Sequence, residues 1–142
     1  MASFLNYTTS VPVDRTLLQI QKMLVSHGAQ SIIINYEDLV PASMSFMIDT
    51  ENGRMPFQLP ANISAVARIM EEKHLPGYKK PGQPARVAWR VIKDWVEAQL
   101  AIIEAGMAPV EQVFLPYLLT DGKRTLFEVM SEKGFLIGDG GK

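Results

Sequence analysis

Between Pro84 and Ala105 the sequence PARVAWRVIKDWVEAQLAIIEA has the periodicity of one long helix, and its apolar residues cover an unusually broad part of the circumference. Placed at 100° steps, the arc that runs through Val87, Trp89, Ile92, Trp95, Val96, Leu100 and Ile103 spans roughly 220°. Such a helix needs cover on more than one side. The rest of the chain must wrap it, or a second copy must, so a central core helix and a homo-oligomer built through this helix are both expectations.

The cover comes from patterns on either side of it. NYTTSV alternates and reads as a short strand, and Asp14–His27 places Leu17, Ile20, Met23, Leu24 and the ring of His27 on one helical face, with Gly28 as the stop. SIIINYE is a β-branched run suited to a strand. SMSFMID points Met44, Phe46 and Ile48 one way, Asn52-Gly53 marks a hairpin, and MPFQL returns with Met55, Phe57 and Leu59 inward. Pro56 confines that last strand to an edge or a bulge. Helices follow at Asn62–Lys73, over the long segment, after Pro109 and at the TLFEVMSEK stretch. The expected fold is therefore α+β: a small, mostly antiparallel sheet in the order strand, helix, three strands, then a C-terminal helical half with one long buried helix.

With 142 residues, 47% of them apolar, the chain suffices for one core, so residues 1–142 are expected to form a single domain. Residues 1–60 carry the sheet, 61–135 the helices, and 136–142 (the end of the chain, with GDGGK) a flexible tail. The absence of cysteine excludes disulfides and thiolate chemistry. The N-terminus lacks the pattern of a secretory signal, and no apolar run reaches eighteen residues. These features lead to the expectation of a soluble cytoplasmic protein with no membrane partner.

Charge is distributed unevenly. The segment Lys73–Lys93 holds six basic residues and no acid, whereas the remaining 121 residues hold eight basic and fifteen acidic side chains, a net −7. Within it, HLPGYKKPGQP is rich in proline and glycine and reads as a loop leading into the long helix. If that loop lies over the helix start, free amides and cations point the same way, which is the chemistry of an anion site. His74, Tyr78, Lys79, Lys80, Arg86, Arg90 and Lys93 are the candidate ligand-binding residues, the cations for phosphate and Tyr78 for stacking, with Trp89 as a second flat surface. The competing reading pairs these cations with acids such as Glu37, Asp38, Glu71 and Glu72. Arg86 and Arg90 stand near the positive end of the helix dipole, so something must offset their position. Arg90–Asp94 and Lys93–Glu97 have the spacing of helical ion pairs.

Catalytic and metal patterns do not occur. The two histidines, His27 and His74, stand alone, and there is no nucleophile elbow, P-loop or dinucleotide fingerprint. Asp49 and Glu51 fall in the hairpin, where exposed acids belong anyway. No cofactor, no metal and no enzymatic activity are expected.

At YTT near the start, PFQLP after the hairpin, AWRVIKDWVEAQLAIIEAGM on the long helix and VFLPYLL beyond it, the chain resembles small uncharacterised proteins of tailed phages and prophages. The resemblance covers most of the chain and implies no established activity or cofactor. By analogy of lifestyle, it points to an accessory protein in the host cytoplasm that binds and blocks a host molecule, such as a sponge for nucleotide immune signals. The leading expectation is a non-enzymatic protein that holds a phosphate-bearing nucleotide ligand. The alternatives are a nucleic-acid-binding accessory protein of phage replication or recombination, and a partner-blocking protein without a small ligand.

Overall fold

A computed structural model describes residues 4–135. The chain begins with α1 (Val13–Ser26), continues through a three-stranded sheet of β1 (Ala29–Glu37), β2 (Val40–Thr50) and β3 (Gly53–Pro60), and then turns helical. The helices are α2 (Ile63–Glu72), α3 (Gln83–Glu104), α4 (Val110–Val113) and α5 (Leu126–Glu132), with a single 3-10 turn at Leu115–Tyr117. The sheet is an antiparallel meander in the order β1-β2-β3. The α+β class and the antiparallel sheet match expectation, but the order is helix, then three strands. The expected tail at 136–142 lies outside the described residues.

The strand expected at NYTTSV does not form. Asn6 takes a positive φ of 64°, which breaks the extended path, and the segment instead lies as an arm along α3. Its carbonyl groups find their donor in a side chain: the amide Nε2 of Gln83 donates to Tyr7 O and Thr9 O, each at 3.0 Å. Alternation at Tyr7, Thr9 and Val11 is thus compatible with a strand but not sufficient for one, because the ladder partner is missing.

Period-two patterning locates the core face of the sheet. Met44, Phe46 and Ile48 of β2 oppose Leu59, Phe57 and Met55 of β3, and Ile34 and Ile32 of β1 pair with Met44 and Phe46. The opposite face of the sheet carries Ser43, Ser45, Gln58 and Asn35, which bond across strands in two pairs: Asn35 Nδ2 donates to Ser43 Oγ at 3.0 Å and Gln58 Nε2 to Ser45 Oγ at 3.4 Å. Leu17, Ile20 and Leu24 of α1 and Trp89, Val96 and Leu100 of α3 close the core, with Phe114 against Phe46, Phe57 and Trp95. Within one chain the apolar arc of α3 packs on α1 and α2 and sends Trp89, Val96 and Leu100 into the core cluster, while Val91, Ile92, Trp95, Ile102 and Ile103 are only partly buried. A smaller cluster of Met70, Leu75 and Val87 joins α2 to α3 and receives Phe4, Tyr7 and Tyr78.

The two hairpins use different turns. Between β2 and β3 only Gly53 has positive φ, and Glu51 and Asn52, the two residues between the paired Thr50 and Gly53, do not, so this turn is not of type I′. Between β1 and β2 both Asp38 and Leu39 have positive φ, 50° and 68°, so two non-glycine residues form a type I′ turn.

Candidate anion-binding loop

Residues 73–82 connect α2 to α3 as a succession of tight turns. Tyr78 N donates to Leu75 O, Lys80 N to Gly77 O and Gln83 N to Lys80 O, and the buried side chain of Leu75 fastens the loop to the smaller cluster. His74 has φ 51° and is exposed. Lys73, Lys79 and Lys80 are exposed too, and among the described residues none of them forms an ion pair or a side-chain hydrogen bond. Within the chain, the competing pairing with Glu71, Glu72, Glu37 or Asp38 is not made. Lys79 instead places Nζ 5.7 Å from the centroid of the Tyr78 ring, whose other contacts are with the smaller cluster.

The arginines behave differently from the lysines. Arg86 folds back over the helix start, where Nε donates to Gln83 Oε1 and Nη2 to Pro81 O, both at 3.0 Å. Gly82 has φ 77°, which favours glycine, and a Cβ there would stand 3.0 Å from Arg86 Nη1, so the guanidinium would have to shift to admit a side chain. Two of the four amides that a helix start ordinarily offers an anion are lost, since Gln83 N is bonded and Pro84 has none. Arg90 turns to α1, with Nη1 donating to Gln19 Oε1 at 2.6 Å and to Thr16 Oγ1 at 3.3 Å. These bonds to neutral acceptors offset the placement of two cations at the positive end of the dipole.

Further along, Lys93 Nζ donates to Glu97 Oε1 at 2.8 Å, the expected helical pair, and lies 3.8 Å from Asp94. The Arg90–Asp94 pair does not form, because Asp94 accepts from Asn6 Nδ2 at 2.8 Å. The polar strip of α3 is a seam with the arm and with α1. Trp89 is no stacking surface: its ring is fully buried, and Nε1 donates to Pro41 O at 3.0 Å.

The structure thus leaves His74, Lys79 and Lys80 open on the loop with Lys73, holds Arg86 at its edge, and commits Arg90 and Lys93 inside the chain. The other polar clusters are self-contained. His27 caps α1, with Nδ1 2.9 Å from Met23 O and Nε2 3.2 Å from Glu104. Asp49 accepts from Gln30 and Arg54, which hold its carboxyl below the usual range. No group of three or more His, Asp or Glu side chains capable of holding a metal occurs among the described residues.

A second feature escaped the sequence reading. Gln58, Pro60, Pro116, Tyr117, Thr125, Phe127 and Glu128 line a cleft of about 380 Å³, and a neighbouring one of about 240 Å³ shares Pro60 and Tyr117 and reaches Trp95. These residues come from β3, the 3-10 turn, α5 and α3, and their mixed types form no motif, so no local signal marks them.

No family model matches the chain, and neither a curated protein nor a solved structure matches it. No helix among the described residues is long and apolar enough to cross a membrane.

Proposed function

We propose that the chain is a non-enzymatic binding protein whose loop between α2 and α3 takes a phosphate-bearing ligand, a nucleotide or a nucleotide-derived signal. The observation that carries this reading is the clustering of cations. Lys73, Lys79 and Lys80 are crowded into eight residues of turns beside Arg86 and hold no carboxylate among the described residues, whereas the other unpaired cations, such as Arg15, Lys22 and Arg68, stand apart from one another along the chain. Lysines left unpaired on an ordered loop, beside an arginine already oriented by two hydrogen bonds, keep their charge available to a phosphate. His74 adds a further donor, while Arg90 and Lys93 brace the helix behind the loop rather than reach the ligand. In the cytoplasm of an infected cell, a protein of this kind acts by sequestration, for example of a host immune nucleotide.

Thermal shift against inorganic phosphate and a panel of mononucleotides and cyclic dinucleotides tests the reading. At a hundredfold excess over Kd a true ligand adds about 2.7 kcal/mol, a rise of several degrees for a domain of this size. Lys79→Glu with Lys80→Glu should abolish that shift and leave the unliganded melting point in place. A panel without any shift, or a shift that survives both substitutions, removes the loop as the site. Binding to single-stranded DNA that weakens steeply with salt and ignores nucleotide identity would instead favour the nucleic-acid reading.

A further inference from the structure

The two edges of the sheet are built differently. Along β3, Pro56 and Pro60 lack amide donors, Leu118 bridges to Phe57, and Leu119 N donates to Pro56 O at 2.9 Å. β1 has no such protection. Its nine residues AQSIIINYE include no proline, glycine or lysine, and among the described residues no backbone hydrogen bond from outside the sheet reaches it. An edge with no proline, no lysine and no covering segment is a template for another strand, and the two irregularities in β1 confine that pairing to the stretch between them. Beside it, α1 leaves Leu18 and Val25 exposed two turns apart, and with Gln21, Lys22 and Ile32 they line a shallow groove of about 340 Å³.

We infer that β1 pairs with β1 of a second copy of this chain, antiparallel about a twofold axis at Ile33, joining two three-stranded sheets into one of six. The register follows from the bulges. Irregularities between Ala29 and Ser31 and between Asn35 and Tyr36 bound the regular stretch to Ser31–Asn35, whose centre is Ile33. Pairing about that centre sets Ile33 against Ile33, Ile32 against Ile34 and Ser31 against Asn35, so each pair is matched in character. The inner faces stay on one side, which brings the two α1 helices together over their Leu18 and Val25 stripes.

The same register brings the hairpin tip of each copy level with the α1–β1 junction of the other, since position 39 falls opposite position 27. Leu39, 94% exposed at the tip of the hairpin, thereby gains a partner surface. A foreign peptide strand would satisfy the edge but leave Leu18, Val25 and Leu39 bare. A second copy covers all three. Lys22 is the one charged residue lining the groove, as suits the middle of an interface, where charged residues are depleted. The five-residue regular stretch is about 17 Å long, so the α1 stripe and Leu39 supply much of the ~800 Å² per partner of a standard interface.

Sedimentation equilibrium of the wild-type chain should give twice the 15.8 kDa chain mass at micromolar concentration. Ile33→Lys, which sets two ammonium groups together at the axis, should raise the dimer Kd at least 100-fold. Because Ile33 is 60% exposed in the single chain, the circular dichroism and the melting of the monomer should survive this change. The chain has no cysteine, so Ile33→Cys provides an independent readout. It should form a disulfide dimer under mild oxidation much faster than Met47→Cys, a control on the same face of the central strand. A chain that stays monomeric at 100 µM, or a dimer that persists in Ile33→Lys and cross-links no faster at position 33 than at 47, overturns the proposal.

Discussion

The side-chain amide of Gln83 donates to the carbonyl oxygen of Tyr7 at 3.0 Å, across seventy-six residues of sequence. The same nitrogen reaches Thr9 O, and the amide oxygen accepts from Arg86 Nε. One buried residue at the first turn of α3 thus ties together the N-terminal arm, the helix start and an arginine of the basic segment. Gln83 is only 4% exposed, so water has little access to replace what it supplies.

Gln83→Leu keeps the volume but strips two carbonyl groups of their donor and Arg86 of an acceptor. A loss of about 1–3 kcal/mol is expected, seen as a lower urea midpoint with an unchanged slope. An unaltered midpoint would mean that the arm is held by its apolar contacts alone.

Trp89→Phe removes the bond to Pro41 O and leaves a void at the centre of the core. The expected cost is about 2 kcal/mol. Tryptophan fluorescence of this variant comes from Trp95 alone and should shift to the red, since the ring it lacks is the fully buried one. An unshifted spectrum would place Trp89 in contact with water.

Leu39 sits at φ 68°, where its Cβ crowds the backbone by roughly 1–2 kcal/mol. Part of the gain from removing it is returned through the looser unfolded chain. Leu39→Gly should therefore stabilise the fold by about 0.5–1 kcal/mol and Leu39→Val should destabilise it, both read in the Ile33→Lys background so that self-association does not enter. Changes of the same sign in both variants would refute a type I′ turn.

The carboxyl of Asp121 is lowered to about 2 by the backbone amides of Arg124 and Lys123 and by the guanidinium of Arg124. A depressed folded-state value means that the stabilisation is complete above the ordinary value of 3.8 and is lost as the pH falls through about 2. Carbon-13 detected titration should show the Asp121 midpoint near the lower value, and Asp121→Asn should abolish the corresponding amide shifts of Lys123 and Arg124. A midpoint near 4 would show that the turn is open in solution.

Much of the fold was legible locally. Met44, Phe46 and Ile48 alternate with Ser43, Ser45, Met47 and Asp49, and they are the central stripe of the sheet. Asn62 caps α2 by accepting from Ala65 N, and Gly28 ends α1, as short-range chemistry requires. The strand misread at Tyr7–Val11 failed for a local and a nonlocal reason: Asn6 turns the chain with a positive φ, and the carbonyls of Tyr7 and Thr9 bond to a glutamine that the pattern of the arm does not contain.

The candidate site divides along the same line. That Lys73–Lys93 is basic, that it begins in turns and that it leads into a helix are properties of residues within a few positions of one another, and they persist in the folded chain. Whether each cation is free depends on what lies across from it. Arg90 is engaged by Thr16 and Gln19 of α1, Arg86 by Pro81 and Gln83, and Lys93 by Glu97. Lys79 and Lys80 stay open, with no described carboxylate within ion-pair distance. Periodicity and capping act over one or two turns of chain, so composition and pattern are enough to place helices, strands and a charge run. Pairing of charges, covering of α3 and the bareness of β1 arise from contacts between segments tens of residues apart, which exist only once the chain has packed.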